Sequence, residues 1–296
     1  MVLAMVEKKK KKVKKRWTVP QGVEPTAMDE KILFWQKKGK LVPTRKLIRS
    51  EEQIRGIRKA GVLNTDVLDY VAERIREGIS TLEIDQMIYE FTTGHGGIPA
   101  PLHYDGFPAS CCTSLNDVVC HGIPSEEDVL EEGDILNVDC TTILDGYYAD
   151  ASRMFVIGKT SPERQHLVDV AWECLKKGEQ VCKEPYVFVG DIGEAIAHHA
   201  HENGFTVVRE YCGHGVGLKF HEEPDVEHYR KKGTGMLLVP GMTFTIEPMI
   251  NAGDYDVCGD EMDETGWIVL TEDESDSAQW EHTFLMTENG VEVITH

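Results

Sequence analysis

The stretch NVDCTTILDGYYADASRMF, residues 137–155, constrains the fold of this chain more than any other. Asp145-Gly146 stands between two alternating apolar runs, and a two-residue type I′ turn needs positive φ at both positions, which Asp and Gly supply. A hairpin closed there pairs Leu144 with Tyr147, Asp139 with Ser152 and Thr141 with Asp150. Cross-strand partners share a face, as do residues two apart on a strand, so Asp139 and Asp150 point the same way as diagonal neighbours. A slip of one residue would send them to opposite faces, so the inference rests on the turn. Two readings of that face stand open. It is an exposed hairpin with solvated aspartates, or it buries carboxylates whose desolvation is offset by a cationic partner.

Protein cations are scarce where such a partner would be needed. Residues 1–50 carry 15 Lys and Arg against 4 Asp and Glu, the remainder carries 16 against 47, and no Lys or Arg follows Lys232. The acidic body is a poor long-range attractor of nucleic acid, and only KKKKKVKKR at residues 8–16 suits phosphates. We read that block first as a solvated, disordered arm. Eight cysteines with no C-x-x-C pair exclude a zinc ribbon and a thioredoxin motif, and fit reduced thiols in the cytoplasm. No apolar run is long enough to span a bilayer and no signal-type segment opens the chain, so no membrane partner is expected.

Residues 1–49 read as a basic, Pro-containing, partly disordered extension, and 50–296 as the folded domain, with order beginning near Ser50. Ser50-Glu51-Glu52-Gln53 and Ser80-Thr81-Leu82-Glu83 have capping-box form and open two helices, the first ending before Gly78 and the second near Phe91. Strands are predicted at 109–114, 117–121, 134–142 and 147–157. Ser161-Pro162 opens a helix to about Cys182, and Asp191-Ile192-Gly193-Glu194 another that ends at Asn203-Gly204. Strands at 205–211, 241–247, 266–271, 279–287 and 291–295 complete the pattern. Two helices followed by strands, twice over, predict an α+β fold: a duplicated, mainly antiparallel curved sheet with helices on its outer face and a site on its inner face.

The second half offers further donors. In EYCGHGVGLKFHEEP, His214 lies between glycines that permit close approach, and His221 follows on the same turn. Glu247 ends the strand-like GMTFTIEPMI and Glu281 sits in SAQWEHTFLM, both beyond the last basic residue. Four carboxylates and one neutral imidazole sum to −4, which two divalent ions balance. Oxygen-rich donors with one nitrogen suit Mn, Fe or Co and tolerate Zn. Paired ions acidify water and polarise a substrate oxygen, which is hydrolytic chemistry.

With these residues assembled, the chain resembles the type I methionine aminopeptidases of the pita-bread metallopeptidase family over about residues 50–296. The likeness is carried by VVCHGIP, NVDCTTILDGYYADASR, GHGVGLKFHEEP, PGMTFTIEP and SAQWEHT, in the family's order. It implies the pita-bread fold with pseudo-twofold symmetry, and two divalent ions held by Asp139, Asp150, His214, Glu247 and Glu281, with Asp150 and Glu281 shared between them. It further implies attack of water on the first peptide carbonyl, with Glu247 moving the proton. His221 would stabilise the tetrahedral intermediate, and His121 would touch the scissile amide. The methionine pocket would comprise Tyr104, Phe107, Cys112, Phe220 and Trp267, beside a tight subsite for a small second residue. The expected substrate is a nascent peptide with N-terminal Met, the expected state a monomer, and the basic block a candidate for transient ribosome contact.

Departures from the family pattern are Pro101 and Phe107, where Cys and Tyr are common, and the long extension without a Cys/His zinc pattern. The short span between Glu247 and Glu281 lacks the helical insert of type II enzymes. Two rivals remain: a proline-specific peptidase on the same fold, which normally carries a separate N-terminal domain, and an inactive relative that binds nucleic acid or other partners.

Overall fold

The computed structural model describes residues 17–296. Helix α1 (Ala27–Lys37) precedes α2 (Glu51–Ala72) and α3 (Thr81–Gly94); β1 (Ile98–Pro99), β2 (Cys112–Leu115) and β3 (Val118–Cys120) lead into the long hairpin of β4 (Ile135–Leu144) and β5 (Tyr147–Val156). Helices α4 (Pro162–Val181) and α5 (Val189–Glu202) follow. The chain returns through β6 (Thr206–Val207), β7 (Gly213–Gly215), β8 (Glu222–Val226), β9 (Thr243–Ile246), β10 (Met249–Asn251), β11 (Val257–Gly259), β12 (Val269–Thr271), β13 (Ser277–Gln279), β14 (Glu281–Thr287) and β15 (Gly290–Val293).

Both predicted serine caps form, with Ser50 accepting from Gln53 N–H and Ser80 from Glu83 N–H, and Asp145-Gly146 turns the hairpin with φ of 51° and 82°. The register is the predicted one: Leu144 opposite Tyr147, Thr141 opposite Asp150 and Asp139 opposite Ser152. The main sheet runs β1-β4-β5-β14-β9-β7-β8, with β2 on β4 and β15 on β14. Strand β14 thus joins the two halves, pairing β5 on one side and β9 on the other. Helices α2 and α3 cover β4 and β5 through Val67, Leu68, Val71 and Ile84. Helices α4 and α5 cover the second half through Leu175, Ile192 and Ile196, which pack with Phe244 and Phe284. The helices lie on one face of the sheet, so the other face is free for a site.

Two expectations are corrected. Order begins well before Ser50: Thr26 and Asp29 form a reciprocal capping box that opens α1, and Trp17, only 1% exposed, donates through Nε1 to Asp29 Oδ1 at 2.7 Å. Trp17, Ile32, Val42 and Leu47 join the same core as α4 and α5, and Leu41 bridges to Met236. Residues 17–49 thus form a strap tied to the second half by burial. Helix α5 starts at Val189, two residues before the predicted cap, because the Asp191 carboxylate reaches back to Phe188 N–H at 2.8 Å from the third helical position. The acidic residues 254–264 include β11, which pairs with β12. The block 8–16 lies outside the described residues.

Candidate metal centre

Register alone brings the acidic side chains together. Asp139 pairs with Ser152, and Ser152 pairs with Glu281. The pairing of His282 with Ile246, continued one step, sets Glu247 opposite Glu281. Asp139, Glu281 and Glu247 therefore lie in one row across β4, β5, β14 and the end of β9, on one face of the sheet. Asp150 stands two residues along from Ser152 in the adjacent row. His214 enters that row from β7, its N–H donating to Thr245 Oγ1 at 2.9 Å.

The side-chain atoms converge as the rows predict. Ligand-capable atoms of Asp150, His214 and Glu281 lie within 4.8 Å of one another. His214 Nε2 is 3.6 Å from both Asp150 Oδ2 and Glu247 Oε1, too far for a hydrogen bond to either. Asp139 and Glu247 line the same cavity of about 360 Å³, which among the described residues has no Lys or Arg in its wall. Burial raises Asp139 to about 7 and Glu247 to about 8, and burial with neighbouring carboxylates drives Asp150 and Glu281 well upward. Burial lowers His214 to about 3, which keeps its imidazole neutral and able to ligate. Buried Glu281 Oε1 has no hydrogen-bond partner. Hard oxygen donors, one neutral imidazole, an orphaned carboxylate oxygen and no protein cation fit divalent metal.

Supporting groups hold these donors, and the sequence reading did not single them out. Thr141 donates to Asp150 Oδ1 and Thr245 to Glu247 Oε1, each at 2.7 Å; Gln279 Nε2 lies 3.2 Å from Glu247 Oε2. Buried His228 accepts the Glu247 N–H through Nε2 at 3.2 Å. The available signals were the hairpin register, which sets Thr141 opposite Asp150, and a threonine two residues before Glu247.

All twelve sequence-predicted residues line this one cavity. Phe107 and Trp267 meet edge to face at 5.3 Å, with Cys112 packed beside them, and Tyr104 tilts against Phe220. The Tyr104 hydroxyl lies 3.0 Å from His221 Nδ1. His121 stands edge-on to both Trp267 and Tyr211, and its backbone has φ of 58°. That sparsely populated region stores a small strain at the cavity wall. Gly122 follows because a Cβ there would lie 2.1 Å from Thr113 O.

The sequence pattern of metallopeptidase family M24 matches residues 55–288. The chain belongs to metallopeptidase family M24. Methionine aminopeptidase A of Synechocystis is 48% identical over 246 residues, covering 83% of this chain and 96% of the relative. Methionine aminopeptidase of Escherichia coli is 43% identical, covering 84% and 93%. The crystal structure of methionine aminopeptidase from Rickettsia prowazekii superposes with a TM-score of 0.81 at 43% identity, covering 84% of this chain and 99% of that one. A prolidase from Pyrococcus furiosus shares the fold at a TM-score of 0.67 and 22% identity, and this chain covers 65% of it. M24 membership makes the protein a metal-dependent peptidase on a pita-bread fold. Among the described residues no helix is long and apolar enough to cross a membrane.

Proposed function

We propose that this M24 peptidase removes the N-terminal methionine of newly made polypeptides by hydrolysing their first peptide bond. Asp139, Asp150, His214, Glu247 and Glu281 would hold two divalent ions, of Co, Mn, Fe or Zn. The observation that carries the reading is the cation-free carboxylate cluster opening directly onto the aromatic pocket of Tyr104, Phe107, Phe220 and Trp267. The names of the relatives point to the same activity. When bound, the ions supply Lewis acidity to the carbonyl and acidify water near neutral pH.

The protein's own groups do the rest. Glu247, oriented by Thr245 and Gln279, takes the proton from the attacking water and returns it to the departing amine. The Tyr104 hydroxyl lies 3.0 Å from His221 Nδ1; donating there, it would leave the proton of the neutral ring on Nε2 as a donor to the developing oxyanion. Burial lowers both His221 and His121 to about 4. His121 contacts the scissile amide. The pocket takes an unbranched thioether, with aromatic contact to sulfur contributing about 0.3–1.5 kcal/mol. A tight neighbouring subsite selects a small second residue.

The test is peptidase assay of metal-stripped protein with each ion restored, on Met-Gly and x-Pro peptides. Return of Met-Gly cleavage alone supports the reading. Cleavage of x-Pro instead favours the proline-specific rival, and no cleavage with any ion sinks it. Such substrates, and eight unpaired cysteines, support a reaction in the reducing cytoplasm. Residues 8–16 would make transient ribosome contact by charge. Unchanged co-sedimentation after deleting residues 1–16 would remove that part.

A further inference from the structure

Arg49 lies upstream of residues 55–288 that match the family, yet its side chain runs into the second half of the sheet and is 1% exposed. Its N–H is anchored on Gly241 O at 2.8 Å. Its Nε donates to Thr243 Oγ1 at 3.0 Å, and its Nη2 donates to Val216 O at 3.4 Å and to Glu222 Oε1 at 2.5 Å. Glu222 Oε1 in turn accepts Leu218 N–H at 3.2 Å, and Thr243 Oγ1 also donates to Val216 O.

These bonds close one loop. Gly215 pairs with Glu222 across the register shift of β7 and β8, so residues 216–221 leave and rejoin the sheet at one point. Val216 begins the excursion and Glu222 ends it, and a single guanidinium holds both legs. His214 stands two residues before the loop and His221 is its last residue. On the far side Tyr148 N–H donates to Gly217 O at 3.0 Å, where φ is +133°.

We propose that Arg49 is a positioning residue for the reaction: through Glu222 and Val216 it fixes the loop that presents His221 to the scissile bond. The inference rests on the function proposed above. A guanidinium fork reaches three acceptors on two segments at once, whereas a lysine ammonium offers a point charge on a flexible stem. Residues that orient active-site groups through hydrogen bonds change activity by about 10–100-fold when lost.

Arg49→Met, Arg49→Lys and Glu222→Gln are made in the full chain, each alone and with His221→Ala, and hydrolysis of a Met-Ala-Ser peptide is followed with added Mn²⁺. Arg49→Met should lower kcat at least about tenfold with KM within about twofold, because His221 acts in the transition state, and Arg49→Lys should recover part of the loss. In the His221→Ala background the same substitution should change kcat less than about twofold, since the residue it positions is already gone. Equal factors in both backgrounds, as a general loss of folded protein would produce, overturn the proposal, as does an unchanged kcat. Should Arg49→Met fail to fold in thermal melts, Arg49→Lys and Glu222→Gln carry the comparison. Absence of wild-type turnover refutes the proposed function as well, whereas wild-type turnover with indifferent Arg49 variants refutes the clamp alone.

Discussion

Trp17→Ala tests whether the strap before Ser50 belongs to the core. Trp17 is 1% exposed, its indole N–H is bonded to Asp29, and the Arg45 guanidinium lies 4.4 Å from its ring centroid. Truncating a buried Trp to Ala costs about 3–5 kcal/mol through lost transfer energy and the cavity left behind. Trp17→Phe keeps most of the volume but leaves Asp29 short of one donor, for about 1–3 kcal/mol. At about 2–4 °C per kcal/mol for a chain somewhat smaller than this, Trp17→Ala lowers the melting temperature by about 6–20 °C if the strap unfolds with the core. Differential scanning calorimetry reads that shift. Limited trypsin digestion separates it from local release of the strap, because Lys31, Lys37, Lys38 and Lys40 on and just after α1 become cleavable first. An unchanged melt together with an unchanged digestion pattern would refute the packing argument, since surface substitutions stay within about 0.5 kcal/mol.

Three further outcomes are expected. Thr245→Val removes the hydrogen bond to Glu247 and the acceptor of His214 N–H, and should weaken metal affinity about 10–100-fold by isothermal titration. Gly122→Ala would place a Cβ 2.1 Å from a backbone carbonyl beside His121; kcat should fall at least about tenfold, a loss typical of misplaced catalytic geometry, with metal content unchanged by elemental analysis. Burial raises the Asp29 carboxyl, but hydrogen bonds from Thr26 and Trp17 and the Arg45 charge outweigh it and hold it at about 2, below its ordinary 3.8. A depressed acid stabilises the fold above its unfolded value. The strap's added protection from an acid-active protease should therefore be complete above about pH 4 and fade toward pH 2, and Asp29→Asn should flatten that profile.

What could be read from the sequence followed local rules. Asp145-Gly146 permits one register, and that register alone aligned Asp139 with Asp150. The flanking glycines marked His214, and Glu247 and Glu281 stood out because a charged strand residue with no lysine or arginine downstream is costly without a partner. The strap escaped because its period is hidden. Thr26-x-x-Asp29 is a valid capping signal, but Trp17 packs on Asp29 and Arg45 and Leu41 bridges to Met236, and no window of sequence contains the last pairing. Thr245, Gln279 and His228 escaped for another reason. An isolated polar residue in a strand, like a histidine in a turn, reads the same whether it supports a carboxylate-bearing residue or merely satisfies itself.

The position of β14 dictates when the molecule can become active. The ribosome makes this strand after both of its neighbours, yet it must slot between β5 and β9. Until then each half of the sheet presents an unpaired edge, open to wrong partners, and Glu281 is missing from the row that Asp139 and Glu247 complete. Insertion of a central strand between distant segments is a long-range closure that comes slowly. Completion of the proposed ion site would therefore follow tertiary assembly rather than guide the early steps of folding.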